Sequence, residues 1–284
     1  MVMYPYVLVG YDGMVESDRA LQWAAEEARL RRLELVVCHC WRWPYPISHV
    51  DHDIERTVQR MGEHLLDHGA DRAAHLAPTV KVRKRLMDGP AYAALMHESS
   101  EAELIVVGSH EQDELAVGST ALRLPVRSRR PVVVVRQAAS SYDHVVVGVD
   151  GSPGADAALA FAFEEAALRG WTLEAVYGCW EPGAVAESEL ALFADRDALT
   201  RSCGARLERA VAPWREKYPQ VEARTSLIME GPRTALLNAA AAASLVVVGD
   251  RGTGNVDPLL LGATSSALLH HAPCTVAVVH DPQR

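Results

Sequence analysis

The chain has little excess of positive charge, few cysteines and no long apolar run. Each shortage removes a class of function. With 28 Lys and Arg against 37 Asp and Glu, the formal net charge is -9 and the pI is near 5.7, so most of the surface repels a polyanion and nucleic acid is not an expected partner. The five cysteines (Cys38, Cys40, Cys179, Cys203 and Cys274) are odd in number and scattered through apolar stretches, which points to free thiols and not to a disulfide frame. The opening "MVMYPYVLVGYDG" lacks a basic n-region, and its apolar run is too short for a signal sequence or a membrane span. The expected setting is therefore the cytoplasm, without a membrane. Catalytic signatures are missing too: neither G-x-S-x-G nor the P-loop G-x4-G-K-(S/T) occurs, and no nucleophile stands beside an evident base.

What is present is a repeat. "YVLVGYDGMVESDRALQWAAEEARL" from Tyr6 is answered by "HVVVGVDGSPGADAALAFAFEEAAL" from His144, pairing Asp12 with Asp150, Asp18 with Asp156, and Glu26-Glu27 with Glu164-Glu165. Later "LMDGP" is answered by "IMEGP", "LIVVG" by "LVVVG", and "PVVVVR" by "TVAVVH", always in the same order. Two domains are expected, 1 to 140 and 141 to 284, joined near "QAASSYD", whose small and polar residues suit a linker.

Within each half, short Val/Leu/Ile runs alternate with helix-periodic segments. In the second half, strands are expected at Val145–Val149, Leu173–Tyr177, Glu222–Ile228, Leu245–Val248 and Val276–Val279. Helices are expected over Asp156–Arg169, about Glu187–Lys217, Arg233–Ala243 and Thr264–His270. Strands apolar on both faces and separated by helices form a parallel sheet covered on both sides. The fold class is thus α/β, as two tandem doubly wound five-stranded parallel sheets of strand order 3-2-1-4-5. That order places the turns after the first and fourth strands side by side, at a ligand-binding crevice.

The fourth-strand turn of the second half, "GDRGTGNVDPLLLGATSS", carries Gly249, Gly252, Gly254 and Gly262 and then opens a helix near Ala263-Thr264. Bare backbone and a helix N-terminus together suit an anion, and Asp150 on the neighbouring turn suits ribose hydroxyls or an adenine amino group.

These stretches, above all "VVVGVDGSPGADAAL", "LVVVGDRGTG" and "LLLGATSSALLHHAPCTVAVV", resemble the universal stress protein family in its tandem form, over nearly the whole chain. The resemblance implies a fold of the adenine nucleotide alpha hydrolase type and an ATP site, with or without Mg. It places Gly148 and Asp150 at the ribose and base, the end of the second strand near Cys179 at the adenine, and Gly249, Gly252, Gly254, Gly262, Ala263 and Thr264 around the phosphates, with Arg251 supplying a positive charge. It further implies an internal pseudo-dimer or a homodimer, a stress-response role, and a protein partner that the sequence does not name.

Two departures stand out. Ala263 occupies a position where the family has Ser or Thr, so that Thr264 and Ser265 are the hydroxyls available in its place, and Asp250 puts a carboxylate at the loop. In the first half, "VVGSHEQDELAVGSTALR" replaces the second glycine by Glu111 and adds Asp113 and Glu114. At roughly 6 Å and a dielectric near 20, each carboxylate repels a phosphate by about 3 kcal/mol before screening. Half of that still lowers affinity about tenfold per carboxylate, so the first domain is expected to bind ATP poorly or not at all.

Blander readings cover the rest. His64, His68 and His75 read as a solvated helix face, Cys38-His39-Cys40 as strand packing with alternate residues on opposite faces, and Asp156, Glu164 and Glu165 as an ordinary exposed helix face. Trp41 and Trp180 read as edge packing or as covers for a base. The expected function is a nucleotide-responsive regulatory module and not an enzyme. The rivals are a slow or autophosphorylating ATPase and a scaffold without ligand.

Overall fold

The computed structural model describes residues 5–42, 52–109, 119–136, 142–179, 196–253 and 260–281. The chain divides into two compact units, Met1–Leu124 with Arg130–Arg136, and Pro125–Arg129 with Gln137–Arg284.

In the first unit the strands β1 (Tyr6–Gly10), β2 (Glu34–Trp41), β3 (Val82–Asp88), β4 (Ala102–Gly108) and β5 (Val132–Val135) are interleaved with helices α1 (Val15–Arg31), α2 (His52–Leu76), α3 (Ala91–Glu98) and α4 (Ser119–Arg127). All pairings are parallel, β1 lying between β2 and β4, with β3 outside β2 and β5 outside β4. The second unit repeats this with β6 (His144–Gly148), β7 (Thr172–Gly178), β8 (Ala223–Ile228), β9 (Leu245–Gly249) and β10 (Thr275–Val279), and with helices α5 (Pro153–Arg169), α6 (Arg196–Lys217), α7 (Pro232–Ala240) and α8 (Ala263–His271). Here β6 lies between β7 and β9, flanked by β8 and β10. Gly10 stands opposite Cys38 as Gly148 stands opposite Val176, so the two units match residue for residue at the carboxyl ends of their central strands.

The core follows from the sequence period. Val145, Val146 and Val147 are fully buried because a central strand is covered on both faces. On α5 the buried Ala155, Ala158, Leu159, Ala162 and Ala166 recur every three or four residues, forming a stripe of small side chains that lets the helix sit close to the sheet. Phe163, also buried, stacks on Trp214 and Tyr218 with ring centroids 6.5 and 6.0 Å apart.

Helix α5 begins earlier than periodicity indicates. Ser152 is its N-cap, with Oγ accepting from the Ala155 N–H at 3.2 Å, and Pro153 opens the first turn. Ser-Pro in "GSPG" is therefore a helix start and not only a turn. At the other end the matched C-caps are Gly170 and Arg32, both left-handed, with φ of 68° and 56°. Glycine adopts that conformation without strain, and arginine does not. Of the long helix expected from about Glu187, the part from Arg196 is described, and the stretch 187–195 lies outside the described residues.

Glu165 corrects the expected exposed face. It is fully buried and pairs with Arg169 one turn later at 2.9 Å. Its counterpart Glu27 is equally buried and pairs with Arg31. An i,i+4 pair is visible in sequence, but the depth at which it sits depends on the sheet beneath.

Candidate functional site

The turns after β6 and β9 meet over the sheet, as the strand order requires. Between them lies a crevice of about 250 Å³. Val149, Val176, Pro232, Leu236 and Val248 give it an apolar flank on the β7 and α7 side, and the Arg251–Thr253 turn with the first turn of α8 forms the other flank.

Asp150 ties the two turns together. One carboxylate oxygen accepts from the Ser152 N–H at 2.9 Å, and the other accepts from the Thr253 N–H at 3.0 Å, 103 residues away. A Cβ on Gly252 would stand 2.2 Å from that second oxygen, so the carboxylate can reach Thr253 only past a bare residue.

The glycines serve different ends. At Gly249 a Cβ would lie 2.6 Å from the carbonyl carbon of Gly154 at the start of α5, so the close approach there is of chain to chain. At Gly262 a Cβ would meet nothing nearer than 3.4 Å, an ordinary contact. Its φ is -58°, which any residue adopts. Among the described residues nothing requires glycine at 262, which lines the crevice.

Helix α8 starts at Ala263 with no side-chain cap, and its N-cap Gly262 donates its own N–H to the Asp250 carbonyl at 2.9 Å. The first N–H groups of the helix, at Ala263 and Thr264, have no acceptor within the helix and carry its positive end. Ser265 does not compensate for the missing hydroxyl at Ala263. It is buried and donates to the Gly249 carbonyl at 2.7 Å, which leaves Thr264, half-buried in the lining, as the hydroxyl on that side. Asp250 is buried, its Oδ2 3.3 Å from Arg251 Nε. That buried nitrogen makes an ion pair by distance, but it has no hydrogen-bond partner among the described residues.

Of the residues expected at the site, Gly148, Asp150, Gly249, Arg251, Gly252, Gly262, Ala263 and Thr264 all line the crevice. Gly254 lies outside the described residues. Cys179 does not line the crevice: it is fully buried, with Sγ against Met229 Sδ at 3.1 Å, and burial followed by the neighbouring Cys203 pushes its thiol up to about 12. The wall at the end of β7 is the preceding residue, Gly178. Strand alternation, which sends neighbouring side chains to opposite faces, is the signal that separates the two.

The first unit has a matching crevice of about 270 Å³ with other residues in it. Glu16 stands where the second unit has Gly154, and its backbone oxygen lies 2.6 Å from where a Cβ on Gly108 would stand, the counterpart of the Gly249 contact. Asp12 accepts from the Met14 N–H at 3.0 Å. Two carboxylates, Asp12 and Glu16, thus face this crevice, and Glu16 was not singled out in the sequence. Glu111, Asp113 and Glu114, on which the expectation of weak nucleotide binding was based, lie outside the described residues, as does Trp180. His68 is more than solvated surface: its Nδ1 is 3.0 Å from the Tyr11 hydroxyl, which also donates to Asp18 at 3.1 Å. Burial, and then Asp18, push that phenol up to about 12.

The sequence model of the Universal stress protein family matches residues 3–136 and 141–280. The chain belongs to that family. It is 32% identical over 297 residues to a universal stress protein of Mycobacterium tuberculosis, covering 97% of both chains, and 31% identical to one of Mycolicibacterium smegmatis, covering 96% of both. Among solved structures, a universal stress protein of Archaeoglobus fulgidus superposes with a TM-score of 0.73 at 20% identity, over 97% of this chain and 96% of that one. Among the described residues of this universal stress protein, no helix is long and apolar enough to cross a membrane.

Proposed function

We propose that the second unit binds an adenine nucleotide, with ATP as the working ligand, and that the chain is a nucleotide-responsive regulatory module in stress adaptation and not an enzyme. The observation that carries this reading is the uncapped start of α8. The N–H groups of Ala263 and Thr264 border the crevice on the same flank as Arg251. A phosphate group would accept from both N–H groups and lie beside the positive charge of Arg251. The apolar flank of Val149, Val176, Leu236 and Val248 suits the faces of a base, and Asp150 stands between the two flanks, where a sugar hydroxyl would reach it. Asp250 is paired with Arg251, so any Mg would be held mainly through the phosphates themselves.

The test is to quantify nucleotide released by heat from the purified protein and then titrate ATP, ADP and AMP calorimetrically. One equivalent of adenylate per chain is the expected result. No binding of any of the three would leave the scaffold reading in its place. ADP accumulating stoichiometrically with time, or label transferred from ATP to the protein, would favour the slow ATPase or autophosphorylating reading.

A further inference from the structure

In the first unit, β2 places Cys38 and Cys40 two residues apart on one face, while His39 between them points the other way and donates Nδ1–H to the Tyr11 carbonyl at 2.8 Å. The two sulfur atoms are 4.0 Å apart, and both residues line the crevice. Cys38 is its buried wall and Cys40 is half-buried. The matching positions in the second unit are Val176 and Gly178, so the thiol pair belongs to the first unit alone.

We propose that Cys38 and Cys40 are a two-sulfur site for a soft monovalent cation, of which Cu(I) is the type, entered through the crevice of the first unit. The spacing fits such an ion. Two metal–sulfur bonds of about 2.3 Å reach across as much as about 4.6 Å in a line, so sulfurs 4.0 Å apart can hold one ion between them with a small outward turn of the half-buried Cys40. A direct disulfide fits less well, because the two sulfurs would have to close to about 2.05 Å between alternate residues of a strand held in the sheet on both sides.

The ligand set selects the metal. Thiolates favour soft ions, and two sulfurs supply half of the four ligands that structural zinc takes. Charge acts in the same direction. Glu16 on the crevice lining, where the second unit has Gly154, adds a negative charge that attracts a cation. Metal uptake replaces both thiol protons, which leave to solvent, and forms two metal–sulfur bonds with no change of oxidation state.

The experiment is an anaerobic titration of the reduced full-length protein with Cu(I) against a chromogenic Cu(I) chelator. It is run on the parent, on Cys38→Ser/Cys40→Ser, and on Cys179→Ser as a control for the sulfur group of the second unit. The double variant should bind one equivalent fewer than the parent, and the control should keep that equivalent. Serine at buried Cys38 carries a folding risk, so Cys40→Ala at the half-buried position is the second variant, with an expected loss of at least tenfold in affinity. X-ray absorption on the loaded parent should show sulfur neighbours in the first shell. Parent-like Cu(I) retention in a folded double variant or in Cys40→Ala, or a first shell of nitrogen and oxygen, would overturn the proposal. The nucleotide titration of the second unit is a separate measurement, and its failure leaves this one intact.

Discussion

Asp150 and Thr253 are joined by a 3.0 Å hydrogen bond between a carboxylate on the first turn and a backbone N–H on the glycine turn of the same unit. One side chain thereby sets the width of the crevice. Asp150→Ala should lower ATP affinity at least tenfold, since it removes both the sugar contact and the tie between the turns. The matched Asp12→Ala in the first unit should leave the bound nucleotide at one equivalent per chain. Calorimetry on both variants separates the units, and parent-like affinity in Asp150→Ala would refute the assignment.

Two glycines of the same turn should respond oppositely to alanine. Gly249→Ala forces a Cβ to 2.6 Å from the Gly154 backbone, which cannot rotate away. Overpacking of this kind costs about 1 to 3 kcal/mol, and urea unfolding should show it. Gly262→Ala, with no contact under 3.4 Å among the described residues, should unfold like the parent yet bind ATP less tightly, because Gly262 lines the crevice at the α8 terminus.

The buried pair Glu165–Arg169 and the exposed pair Glu26–Arg29 have similar sequence signatures and opposite prospects. Glu165→Ala removes the carboxylate partner of a guanidinium whose side chain is 8% exposed and leaves it over the Trp171 ring, and losing one partner of a buried pair costs about 3 to 5 kcal/mol. Glu26 and Arg29 are nearly half exposed, so Glu26→Ala should leave the melting temperature close to that of the parent. Thermal melts of the two variants, made side by side, are sufficient to compare them.

Cys179 predicts an alkaline weakness. Burial, and then Cys203, raise its thiol from 9 to about 12 in the folded chain. Between those values the unfolded chain releases a proton that the folded one retains. The stability tied to this group is therefore whole below pH 9 and declines as pH rises towards 12. The melting temperature of the parent should fall more steeply from pH 9 to 11 than that of Cys179→Ala. Parallel curves would mean that the thiol already ionises in the folded state.

Much of this was legible in the sequence because the repeat fixes what corresponds to what. The runs Val145–Val147 and Leu245–Val248 read as strands by composition, and the alternation with helices makes the sheet parallel. That in turn brings Asp150 beside Gly252. What stayed hidden depends on direction and depth. Cys179 and Gly178 are neighbours in sequence, and only the strand phase decides which faces the crevice. Ser265 reads as a phosphate ligand until its hydroxyl is seen turned inward. Glu165 looks like any acid on a helix until the sheet lies over it. Glu16 acquires meaning only opposite Gly108, 92 residues on.

The inward turn of Ser265 has one more consequence. It anchors the opening of α8 to the last carbonyl of β9 through a hydrogen bond inside the protein. Recognition therefore demands little ordering at this end, and residence time should depend on how snugly the base and sugar settle. Substitutions on the apolar flank should then change the proposed nucleotide's affinity without touching the cradle itself.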